Sequence, residues 1–182
     1  MSEFGALPVD HRRQPRRNHG AEPPPRALIT AAAAELLHGL QGRHGPVMFH
    51  QSGGCCDGSS PMCYPDGEFI VGDRDVLLGV LEGAPVWISG PQFETWKHTQ
   101  LVIDVVPGRG GGFSLETPEG IRFLSRGRAF TDAEDGLLAA APALTGADYE
   151  RGARPPERTD VVVAEAADAC AIPGRRAGVV QP

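Results

Sequence analysis

Hydrophobic and polar positions change period several times between residues 27 and 130. In TAAAAELLHGL, residues 30–40, the apolar positions 32, 33, 36, 37 and 40 recur at the spacing of one helix face. Thr30 stands before them as an N-cap and Gly42 after them as a stop, so the pattern predicts a helix. PVMFHQ, residues 46–51, reads as a strand with Val47, Phe49 and Gln51 on one face and Met48 and His50 on the other. A loop is expected from Ser52 to about Pro65. EFIVG (68–72) and DVLLGVL (75–81) are short strand candidates around a Gly72–Asp73 turn, and APVWIS (84–89) is another. GPQFETWKHT (90–99) has Pro91 near its start and Phe93 and Trp96 at i, i+3, which fits a short helix. QLVIDVV (100–106) alternates and is rich in β-branched residues, the pattern of a half-buried strand. PGRGGG reads as a turn, and GFSLE (112–116) and IRFLSR (121–126), joined by TPEG, predict a hairpin.

Runs of strands with few helices argue for an α+β fold. The expected architecture is a compact, mostly antiparallel β structure with one N-terminal helix and one short inner helix. Residues 27–130 form the single globular domain in this reading. Residues 1–26 contain HRRQPRRNHGAEPPPR, a composition that cannot bury apolar surface and reads as a disordered basic arm. Residues 131–182 are rich in Ala, Pro, Gly and Asp and read as a flexible acidic tail, with a short helix near 132–141 capped by Thr131 or Asp132. Cys170 stands alone in that tail and is read as incidental.

Composition narrows the classes. The chain has 182 residues, 41% of them hydrophobic, enough for one ordinary core. Its net charge is −6, and residues 27–130 carry eleven acids against seven bases. No dense basic patch marks a nucleic-acid footprint. The apolar tract 27–40 is about half Ala and holds Glu35 and His38, too short and too polar to span a bilayer. No apolar signal region opens the chain, so a cytoplasmic protein is expected.

In a reducing cytosol, clustered cysteines point to metal or redox use more than to structural disulfides. HQSGGCCDGSSPMCY, residues 50–64, holds His50, Cys55, Cys56 and Cys63 in the spacing H-x4-C-C-x6-C. Thiolates and imidazole suit zinc, iron, copper(I) or an iron–sulfur cluster. The C-x2-C knuckle of a zinc finger is absent. Gly53, Gly54 and Gly58 give the loop the backbone freedom that two adjacent cysteines need to face one metal. His98 is a further candidate ligand at the end of the inner helix. Thiol redox is the competing chemistry, but Asp57 and Asp66 flank the cysteines and no base does, so nothing local stabilises a thiolate. Arg109 with Gly110, Gly111 and Gly112 could form a backbone nest for an anion; a tight bulged turn is the plainer reading. Asp73, Asp75 and Asp104 read as turn and strand-edge residues, and no nucleophile elbow is present.

The long strings MFHQSGGCCDGSSPMCYPDGEFIVGDRDVLLG, QFETWKHTQLVIDVVPGRGGGFSLE and RFLSRGRAF resemble the bacterial family called domain of unknown function 779. Members of that family tend to be encoded beside aldehyde dehydrogenases, which implies an accessory role in aldehyde or alcohol oxidation. A looser resemblance, carried by LITAAAAELL, SGGCC, GGFSLETPEG and RAF, is to the HesB-like fold of the A-type iron–sulfur carriers. It implies that Cys55 stands where the first cluster cysteine of those carriers does. The carriers end in a paired-cysteine segment, whereas this chain has SRGR at 125–128.

The function expected on these grounds is a non-catalytic metal- or iron–sulfur-binding accessory protein of an aldehyde or alcohol dehydrogenase system. Cys55, Cys56 and Cys63 would be its soft ligands, completed by His50 or His98. The alternatives are a metal-free protein-interaction module and a small thiol redox protein. A homodimer is the expected assembly.

Overall fold

The computed structural model describes residues 22–53, 60–109, 112–156 and 162–163. Two mixed sheets and a helix share one core. The chain runs β1 (Ala27–Thr30), α1 (Ala31–His44), β2 (Val47–Gln51), β3 (Pro61–Pro65), β4 (Val76–Leu81), β5 (Ala84–Ile88), α2 (Gly90–Trp96), β6 (Thr99–Pro107), a 3-10 turn (Thr117–Glu119), β7 (Ile121–Ala129), α3 (Asp132–Ala140), β8 (Leu144–Thr145), α4 (Gly146–Glu150) and β9 (Val162–Val163). One sheet has the order β7-β6-β1-β9, the other β3-β2-β5-β4-β8. The β2–β3, β4–β5, β4–β8 and β6–β7 pairs are antiparallel, and β1–β6, β1–β9 and β2–β5 are parallel. This is the expected α+β class, with more helices than the hydrophobic pattern alone suggests.

The core forms where the inner faces of both sheets meet α1. Ala33, Ala34, Leu37 and Leu40 of the helix pack with Ile29, Phe49, Leu81, Val86, Ile103 and Phe123. Phe49 of one sheet meets Phe123 of the other edge to face, with ring centroids 4.9 Å apart. Fully burying side chains of this size contributes about 1.5–3 kcal/mol each. Thr30 fixes where the helix starts: its hydroxyl oxygen accepts from the Ala33 amide at 3.2 Å and donates to Asp104 on β6 at 2.9 Å. The helix runs past the expected stop at Gly42 to His44 and ends at Gly45, whose φ of 79° is the left-handed conformation that glycine accepts without strain. Gly42 shows only that one glycine inside a helix is tolerable, at a cost of about 1 kcal/mol.

Several expectations are corrected or extended. Residues 27–30 are a strand, recruited by parallel pairing with β6, a long-range partner that no local pattern reveals. EFIVG is a turn region and not a strand, while PMCYP, expected to belong to the loop, is β3. GFSLE is likewise turn, so β7 forms its hairpin with β6, in unbroken register from Thr99↔Ala129 to Pro107↔Ile121. Regular structure also continues past residue 130. Thr131 and Glu134 form a capping box at α3, as Thr145 and Asp148 do at α4. Leu138 is buried, β8 pairs with β4, and Arg26 donates to the carbonyls of Leu138 and Ala141, each at 3.1 Å. Reciprocal caps and one added strand hold this polar, Ala-rich segment on the body where apolar periodicity is weak. Arg26, expected in the disordered arm, is therefore part of the folded structure.

Candidate functional site

The β2–β3 hairpin carries the residues of interest, and its pleat sorts them. Register pairs Phe49 with Cys63 and His50 with Met62. Side chains alternate faces along a strand, so Phe49 and Cys63 point into the core and His50 and Met62 point outward.

On the inner face Cys63 is fully buried. Its amide donates to Ser114 Oγ at 2.8 Å, and its carbonyl accepts from the Leu115 amide at 3.0 Å. Ser114 in turn donates to the buried Glu116 carboxyl. Burial pushes the Cys63 thiol up to about 12, and the Glu116 carboxyl adds to the shift. A thiol held this firmly protonated is a poor nucleophile and a poor ligand. Burial also raises the Glu116 pKa, against hydrogen bonds from Ser114 and from the amides of Glu116 and Phe123. Gln51, buried on the same face, accepts from Ser125 Oγ at 2.8 Å.

On the outer face His50 Nε2 lies 3.3 Å from Asp75 Oδ2, with both side chains largely covered, 13% and 17% exposed. The Phe69 ring covers the imidazole, centroids 4.4 Å apart, and stacks on Tyr64 at 4.9 Å. Tyr64 donates its hydroxyl to Met62 Sδ at 3.3 Å. Burial lowers the His50 pKa, outweighing the opposite pull of Asp75. A neutral imidazole that donates Nε2–H to the carboxylate presents its lone pair at Nδ1. A carboxylate bonded to the far nitrogen of a histidine is the usual way a ligating imidazole is oriented.

The turn before β4 holds Asp75 in place. Its carboxylate accepts from the Gly72 amide at 2.9 Å, and its own amide donates to Gly72 O at the same distance. The Gly146 amide donates to Asp75 O at 2.8 Å and the Ala147 amide to Asp73 O at 3.1 Å, so α4 clamps the turn. A Cβ built on Gly146 would lie 2.2 Å from Gly72 O, so the close approach requires glycine there.

The remaining expected residues fall apart in space or outside the described residues. Cys55 and Cys56 lie in the β2–β3 connection but outside the described residues. The stem of that connection is closed by the Ser52 amide donating to Ser60 O at 2.9 Å. His98 is exposed, its Nδ1 2.9 Å from Asp135 Oδ2 on α3. Gly110 and Gly111 also lie outside the described residues, and Arg109 and Gly112 are exposed. The glycine segment begins a connection closed by the Gly108 amide donating to Gly120 O at 2.9 Å, and Ser114 and Leu115 in it cover the edge of β3. In SRGR, Ser125 bonds Gln51, Arg126 pairs with Asp104 at 2.7 Å, and Arg128 pairs with Glu134 at 2.9 Å. That segment supplies no soft donor, and Cys63 faces the core. Among the described residues, no group of three or more His, Cys, Asp or Glu side chains is placed to hold a metal. No helix of the described residues is long and apolar enough to cross a membrane.

The sequence pattern did not single out Asp75, Met62, Tyr64 or Phe69. The alternation of PMCYP, had the strand been recognised, would have set Met62 and Tyr64 on the face of His50. Nothing local links Asp75 to His50, twenty-five residues away.

No curated protein and no solved structure matches the chain. The profile of one family, described as "Domain of unknown function (DUF779)", matches residues 36–129. The matched span covers β2 through β7 and the His50–Asp75 pair, and it leaves out the α3–α4 segment that clamps Asp75. With more than half of its 182 residues in that match, the chain belongs to the family of domain of unknown function 779.

Proposed function

We propose that the protein is a non-catalytic accessory protein that binds a thiophilic metal ion at the outer end of the β2–β3 hairpin. The observation that carries this reading is the His50–Asp75 pair. It holds a neutral imidazole in a sheltered niche at the strand end from which the connection bearing Cys55 and Cys56 departs. Such a donor set, imidazole with thiolate, suits zinc or copper(I) better than a hard cation. Cys63 and His98 are left out of the set, because one is a protonated core thiol and the other is paired with Asp135. A metal bound here would supply Lewis acidity or serve as cargo. The protein's own residues would do the holding: Asp75 orients His50, and Phe69 and Tyr64 limit water around it. The association with an aldehyde or alcohol dehydrogenase system rests on the family resemblance and gives the natural client.

Elemental analysis of full-length protein purified without oxygen tests the reading. Stoichiometric metal is expected in the wild type and its loss in Cys55→Ser/Cys56→Ser. Asp75→Asn should weaken binding by about 10–100-fold, the usual effect of removing the partner that orients a ligating histidine. Metal content unchanged in the double cysteine variant would overturn the assignment.

A further inference from the structure

Beside the edge of β4 lies a cavity of about 250 Å3. Strand pairing explains why it is there. β8 covers β4 only at Val76 and Leu77. Continuing that register would set Pro142 opposite Gly79, and proline has no N–H to extend the ladder. A bulge between Leu77 and Gly79 interrupts the pairing of β4 with β5 at the same place. Residues 23–27, 138, 141–144 and 154–156 therefore wall this stretch of β4 in place of a strand. Apart from Arg26 and Arg154 the wall is apolar, and no acid lines it. Its six prolines fix the backbone and offer no N–H donor. Val80 keeps 36% of its surface uncovered there.

The two guanidinium groups are held by carbonyls. Arg26 Nη2 donates to Leu138 O and Ala141 O. Asp135 acts on Arg26 through space but is paired with His98. Arg154 Nη1 donates to Tyr149 O and Ala153 O, each at 2.8 Å, and its Cζ lies 3.8 Å over the Tyr149 ring. Arg154 is exposed yet fixed in place, and the Nε–Nη2 edge of its fork makes no hydrogen bond among the described residues. That edge presents two parallel N–H groups, the geometry that takes a carboxylate bidentately. Both arginines, and every wall except β4, lie outside the matched span 36–129, so the flanking segments build this cavity onto the family's domain.

We propose that the cavity binds a small organic acid, with an apolar body of about six to eight carbons inside and a carboxylate taken by Arg154, Arg26 adding positive charge. At roughly 30 Å3 for each water-sized group, the space holds about eight non-hydrogen atoms, too few for a strand of peptide. A neutral apolar molecule would leave the positive field unanswered, and a bare anion would leave the apolar wall wet. The proposal goes beyond the metal reading and uses neither His50 nor Asp75.

Calorimetric titration of the full-length protein with sodium octanoate tests it, with octanamide as the neutral counterpart and acetate as the head alone. Octanoate should saturate one site. Octanamide should bind at least about tenfold more weakly, and acetate should show no saturation. Arg154→Gln should bring octanoate down to the level of octanamide and leave octanamide unchanged. Val80→Glu sets a carboxylate on the partly exposed wall and should abolish octanoate binding while the thermal midpoint stays close to that of the wild type. In methyl-labelled protein, Leu78, Val80 and Leu144 should shift on adding octanoate. No octanoate binding, binding no tighter than that of octanamide, binding unchanged in Arg154→Gln, or shifts confined to other methyls would each overturn the proposal. Octanoate affinity should be the same in Cys55→Ser/Cys56→Ser, so this result and that of the metal reading are read separately.

Discussion

Cys63 and His50 occupy neighbouring rungs of one hairpin and have opposite chemistry. Cys63 faces the core against Phe49, its thiol pushed up to about 12. His50 faces outward, lowered in pKa, oriented by Asp75 and bordered by Phe69. Both were candidate ligands on composition, and one step of the strand separates them. A residue's donor chemistry counts only after the pleat has assigned it a side. The inner face spends its polar groups on tying segments together, Cys63 to Ser114 to Glu116 and Gln51 to Ser125. The outer face sets His50 against Asp75 beneath the Phe69 ring.

The division is open to attack first through stability. Phe49→Ala removes the ring that bridges the two sheets and should cost about 3–5 kcal/mol in urea unfolding. His50→Ala should cost clearly less, because His50 lies outside the core cluster that Phe49 fills between the two sheets. Equal losses would erase the distinction between the faces. Cys63→Ser comes next, with an expected cost of about 1–3 kcal/mol for placing a hydroxyl in an apolar setting. Metal content should not change in this variant, and a fall would return Cys63 to the ligand set.

The smallest effect concerns the pH dependence at Glu116. Its folded pKa is raised by burial, so the folded protein keeps a proton that the unfolded chain gives up above about pH 4.3. The stability it contributes is full below that value and is lost as pH rises through the raised folded pKa. Glu116→Gln keeps a neutral hydrogen-bonding group and should flatten this decline. Urea midpoints measured across the pH range above 4.3, wild type against variant, would give parallel curves if Glu116 had no such part.

Much of the local architecture was legible in the sequence. Thr30 as an N-cap, the apolar stripe of α1, the two faces of β2 and the strand at β6 all follow from short-range patterns and hold in the structure, although β6 is buried on both faces from Gln100 to Ile103 and does not alternate there. The strand at Ala27–Thr30 was not legible, because its four residues gain strand character from parallel pairing with β6 and β9, both far along the chain. Nor was β3, whose flanking prolines and neighbouring glycines read as loop, or the ordered α3–α4 segment, held by capping boxes and by β4.

By itself, the sequence determined the α+β class, the helix, the alternation that turns His50 away from Phe49, and the soft-donor content of the β2–β3 connection. Tertiary structure alone decided which donors share a place. It buried Cys63, sent His98 to Asp135, brought Asp75 to His50 and set Met62 opposite. The physical reason is range: periodicity is written in neighbours two to four residues apart, whereas these pairings depend on register and on turns clamped by segments far along the chain.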